Sequence, residues 1–154
     1  MRVLTQRDEK VIRALSLCLL SRGGAVAEDA VDAGVVHRID RWMLSLNQAE
    51  RLKMRGLFHL FDRWYAVHSF NPFSTFVKAT KDQQSMYMST WEQSDMYARR
   101  LAFQGLRQII SIAYMEHTGV RHSIGIDDRK TPEQHMKELA KYADLLRSPL
   151  KDVS

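Results

Sequence analysis

Apolar residues recur at three- and four-residue spacing along most of the chain, and no convincing two-residue alternation marks a strand. The pattern predicts an all-α protein of about six or seven uneven helices. Thr5, with Asp8 three residues on, reads as the cap of a first helix that continues to about Ser21, where Gly23-Gly24 follows. Ile12, Leu15, Cys18 and Leu19 line its core face, widened by Val11 and Leu20. A second helical segment covers residues 26–46, with a break expected around Gly34. Asn47 and Glu50 repeat the capping logic and open a third helix to about Ser69. Its expected core face is Met54, Leu57, Phe58, Phe61, Trp64, Tyr65 and His68.

Residues 70–76 interrupt the pattern, because Pro72 disfavours helical geometry at Asn71. A turn carrying Phe70, Phe73 and Phe76 results. Thr80 caps a short helix to about Gln93 that bears Met86, Met88 and Trp91. Ser94 restarts the chain in a helix over about 95–118, so apolar that it is expected to be the centre of the fold. Arg100, Gln104, Arg107 and Ser111 leave it one narrow polar stripe, either solvated or held by an acidic partner surface. Residues 120–131 read as a loop, and Thr131-Pro-Glu then starts a last helix over about 132–147. That helix is either a packing brace or an arm laid on a second subunit.

Length and composition bound the possibilities. A chain of 154 residues is the size of one domain, 1–154, and buries roughly 70% of its unfolded surface. Seven Gly and three Pro leave few breaks, which suits long helices. The single Cys18 has no internal disulfide partner and reads as a small core hydrophobe. No run reaches the roughly 18 apolar residues of a membrane span. Net charge is +5, but Lys and Arg are dispersed, which fits docking on an acidic protein face at least as well as binding nucleic acid.

Motifs for chemistry are missing. There is no Gly-x-Gly-x-x-Gly, Walker loop or nucleophile elbow, so ordinary dinucleotide binding of FAD is not expected in this chain. His117 and His122 are five apart, and no Glu-x-x-His or His-Glu-x-x-His pair supports a metal site. Trp91, Tyr97 and Phe103 beside Arg99 and Arg100 have the mixture found at protein interfaces and equally in cores rimmed by arginine. The same two readings, interface or end of the core, hold for Phe70, Phe73 and Phe76. With Arg107 from the polar stripe these nine residues are the candidate partner interface.

Several short runs carry a family likeness: Leu4-Thr-Gln-Arg-Asp-Glu-Lys-Val-Ile-Arg-Ala-Leu15, Val35-Val-His-Arg-Ile-Asp-Arg-Trp42, Phe73-Ser-Thr-Phe76, Trp91-Glu-Gln-Ser94, Arg99-Arg-Leu-Ala-Phe-Gln-Gly-Leu-Arg107, Ala113-Tyr114 and Ile124-Gly-Ile126. Spaced over roughly residues 3–127, they resemble the small, gamma-type subunit of FAD-dependent glucose-methanol-choline (GMC) oxidoreductases, the gluconate 2-dehydrogenase subunit 3 family. The resemblance implies a non-catalytic partner that helps a flavoprotein subunit mature and stays bound to it, with FAD, substrate pocket and catalytic histidine on that other polypeptide. The chain departs from the family at Ser21-Arg-Gly-Gly24, where relatives commonly carry a proline. Without an export leader ahead of the first helix the expected compartment is the cytoplasm, and the periplasm if a leader was omitted. Two alternatives stand beside this reading: a basic helical nucleic-acid-binding or regulatory protein, and a self-associating structural one.

Overall fold

Thr5, Asn47 and Thr80 each close a capping box at the start of a helix in the computed structural model, which describes residues 2–20, 26 and 28–126. In each, the cap oxygen accepts from the backbone N–H three residues on, and that residue's side chain accepts from the cap's own N–H. The helices are α1 (Gln6–Leu19), α2 (Val35–Ser45), α3 (Gln48–His68), α4 (Lys81–Glu92), α5 (Tyr97–Met115) and α6 (Thr118–Ser123), with one 3-10 turn at Phe76–Lys78. No strand occurs among the described residues, and the fold is all-α. The chain divides into two units, Met1–Ile124 and Gly125–Ser154, and helices α1 to α6 all belong to the first. The expected helix over about 132–147 lies outside the described residues.

The break expected at Gly34 is present, with a sharper cause than propensity. Gly34 stands at φ 64, in the left-handed region, and its carbonyl accepts from Arg38 N in the first turn of α2. Residues 30–34 ahead of it are turns, so the second segment is one helix and not two.

Helix α5 is not the hub. That position belongs to α1, which packs against α2, α3, α4 and the 3-10 turn, with Val11, Ile12 and Leu15 fully buried. Helix α5 packs on α2, α4 and α6 through Phe103, Leu106, Ile110, Ala113 and Tyr114, while Leu101, Ile112 and Met115 stay exposed. Its apolar residues are too numerous for the one face it buries. It also ends earlier than expected, at Met115. Gly119 is not its cap: it sits inside α6, where a Cβ would collide with the Glu28 carboxylate. The loop expected from residue 120 therefore begins as helix.

The core is built around Phe61. Its ring lies 4.9 Å from that of Phe76, 5.0 Å from Trp91, 5.1 Å from Tyr87 and stacks 5.9 Å from Phe103, each pair contributing about 0.5–1.5 kcal/mol beyond area burial. Tyr87 and Gln84, not Met86, share the buried face of α4 with Trp91. Of the expected core face of α3, Trp64 is exposed, Met54 and Leu57 are half-buried at the edge of the core, and His68 is half-buried against the rings of Tyr65 and Tyr87. Cys18 is likewise only half-buried, and burial pushes its thiol up, partly offset by Lys81.

Buried carboxylates tie the helices together. Asp40 accepts from the backbone N–H of Val3 (2.9 Å) and Leu4 (2.8 Å), anchoring the start of the chain to α2. Asp62 accepts from Val77 N and lies 3.7 Å from Arg7. Asp8, fully buried, accepts from Thr5 N, Thr5 Oγ1 and Arg55 Nε at 2.7–3.0 Å.

Candidate functional site

The nine expected interface residues separate into three groups. Phe76, Trp91 and Phe103 are at most 2% exposed and belong to the aromatic core, Phe103 also bordering the groove on α5. They pack on Phe61 because the 3-10 turn and helices α4 and α5 all present their inner faces there. The reading in which these aromatics close the chain's own core is the one the geometry follows.

Arg99 and Arg100 form the second group and connect α4 to α5. Arg99 places its guanidinium 4.9 Å from the centre of the Trp91 ring and donates to Thr90 Oγ1 at 3.0 Å. Arg100 donates to the Ser94 carbonyl and lies over the ring of Tyr97, 6.0 Å from its centre. The linker of residues 93–96 thus gains its hydrogen bonds partly from the helix that follows it. The Nε1 of Trp91 and Nε of Arg99 are buried with no hydrogen-bond partner among the described residues.

The third group faces outward: Phe70, Phe73, Tyr97 and Arg107. Arg107 pairs with Glu92 across the α4–α5 contact. Around it a shallow groove is lined by Tyr97, Arg100, Leu101, Gln104, Gln108 and Ser111, the full polar stripe read from the sequence with an aromatic at one end. Leu101, Ile112 and Met115 extend this surface along the same side of α5, and Trp42 of α2 borders Ile112 across a small apolar cleft. The sequence located the polar stripe but missed the apolar half, because exposed leucine and isoleucine there look the same as core residues in a periodicity argument. The outward face of α5, mixed aromatic, arginine and aliphatic, is the candidate site.

Two further exposed aromatics follow the end of α3. Phe70 is 96% exposed at φ 53, a strained setting for a bulky residue, and Phe73 is 84% exposed. Asn71 holds the turn, accepting from Phe73 N through its side chain and from Ser74 N through its carbonyl.

The chain matches no family model, no curated protein and no solved structure. Among the described residues, no three His, Cys, Asp or Glu side chains converge as a metal-ligand set, and no helix is long and apolar enough to cross a membrane.

Proposed function

We propose that this chain is a non-catalytic accessory subunit that binds a GMC-type FAD-dependent oxidoreductase catalytic subunit and supports its folding, flavin loading or stability. The reading rests on the resemblance spaced over residues 3–127, and the observation that carries it furthest is the outward face of α5. That helix lies in the densest part of the likeness and holds Tyr97, Leu101, Ile112 and Met115 in solvent beside arginines. Aromatic and arginine side chains over an apolar surface are what a stable protein interface needs. A subunit that binds only the folded flavoprotein stabilises it by mass action, which requires no chemistry from this chain. FAD and the substrate pocket are assigned to the catalytic subunit.

A nucleic-acid role has less support. Arg99, Arg100 and Arg107 each have a partner within the chain, which leaves them poorly placed to track a phosphate backbone.

Co-expression with a GMC-type flavoprotein catalytic subunit from the same genome, followed by size exclusion in mild salt, tests the proposal. A single peak holding both chains and FAD is the expected outcome. Separate elution, with full flavin loading of the catalytic subunit alone, overturns it.

A further inference from the structure

The inner faces of α3 and α5 meet where Phe61 stacks on Phe103, so their outer faces look away from one another. The outer face of α3 is long, continuous and without a partner among the described residues. Leu52 is 70% exposed, Val67 63% and Trp64 40%. Ala49, Lys53, Gly56, Leu60, Arg63 and Val67, all exposed, follow one another at spacings of four, three, four, three and four, the seam by which one helix meets another. The seam runs directly into the turn that projects Phe70.

Three features say what covers it. Gly56 costs its helix about 1 kcal/mol relative to alanine, and a Cβ there would meet nothing within 4 Å, so no described residue needs its small size. An incoming helix does, since a glycine lets backbones approach. Next, the only charges in the seam, Lys53 and Arg63, are both positive and pair with no carboxylate among the described residues. Last, the face disfavours itself: an antiparallel two-fold pairing that sets Gly56 against Leu60 of a second copy also sets Lys53 against Arg63 and their like charges together.

We propose that the outer face of α3 docks an acidic amphipathic helix of a partner protein, leucine-type side chains lying on Leu52, Leu60 and Val67 and carboxylates flanking them to meet Lys53 and Arg63. This holds whether or not the partner is a flavoprotein, and separate elution of the GMC subunit leaves it standing.

The test uses the full chain and two fluorescent synthetic helical peptides with one leucine pattern, one flanked by glutamate and the other by lysine. The glutamate peptide should bind saturably and the lysine peptide at least about tenfold more weakly. Leu60→Glu should weaken the glutamate peptide by about tenfold or more. The double variant Lys53→Glu/Arg63→Glu should reverse the preference between peptides. Hydrogen exchange on the unaltered chain reports independently of how the variants fold: the glutamate peptide should protect residues 49–67. Equal or absent binding of the two peptides, or protection elsewhere, overturns the proposal. So does a homodimer seen by light scattering, or binding to phosphatidylserine vesicles, that Leu60→Glu abolishes, since the occupant would then be a second copy or a membrane.

Discussion

Asp8 shows how much one side chain does beyond the role its sequence position announces. Thr5 three residues before it is a local signal, and the capping box was legible from it. The approach of Arg55 to 3.0 Å and of His59 Nε2 to 2.7 Å from the facing helix was not, since it depends on a contact 47 or more residues away in sequence. The His59 contact is close and electrostatic, not an aligned hydrogen bond. Burial alone raises the Asp8 carboxyl; hydrogen bonds from Thr5 and the charges of Arg55 and His59 outweigh it and hold the group below its ordinary 3.8. A depressed carboxylate stabilises the fold fully above that ordinary value, and its contribution is lost as pH falls through the lower folded one. Urea midpoints should therefore drop between pH 5 and pH 3 more for the unaltered chain than for Asp8→Asn. Asp8→Ala should cost about 1–2 kcal/mol at pH 7, because it removes the carboxylate half of the capping box and the partner of the part-exposed Arg55. Tyr87 is the other residue the sequence did not disclose. Fully buried, with its hydroxyl donating to the Phe61 carbonyl at 2.8 Å, it has a phenol that burial pushes far above the ordinary range. Tyr87→Phe should lower stability by about 1 kcal/mol by the same denaturation measurement.

Among the elements, boundaries set by local chemistry were legible and faces set by packing were less so. Asn47 and Thr80 cap their helices through residues three positions on, so the sequence alone places both starts. Helix α4 has methionines at 86 and 88 that look alike in the sequence, yet Met86 is exposed and Met88 half-buried against the core, and the Phe61 cluster on the neighbouring helix selects Gln84, Tyr87 and Trp91 to turn inward. Helix α5 misled in the opposite direction, since counting apolar residues cannot separate those that meet a neighbour from Leu101, Ile112 and Met115, which meet solvent. Gly34 offers a clean check at this scale. Its surroundings are open, so a substitution there is felt through the backbone alone. Gly34→Ala should destabilise by about 1 kcal/mol and Gly34→Asn by visibly less, because asparagine tolerates the left-handed region better. Equal losses for the two in thermal melts would show that something other than φ decides the site.

For the molecule as a whole, two outward surfaces with different chemistry result from a core that draws the inner faces of α3 and α5 together at Phe61 and Phe103. The flavoprotein reading makes a specific demand on the α5 surface. If it is the contact, Ile112→Glu should abolish co-elution with the GMC catalytic subunit, since it places a charge on the exposed apolar half of that helix, 56% accessible in the chain alone. Arg107→Glu should weaken the complex more modestly, by about tenfold, because Arg107 is partly engaged by Glu92 and the substitution sets two carboxylates together at the rim. Both substitutions lie in solvent, so helical content by circular dichroism and the denaturation midpoint should stay near those of the unaltered chain. That separation matters, for a core variant such as Phe103→Ala would lose the partner simply by unfolding. Unchanged co-elution of a folded Ile112→Glu chain would move the contact off α5, and the aromatic turn at Phe70 and Phe73 would be the next surface to alter.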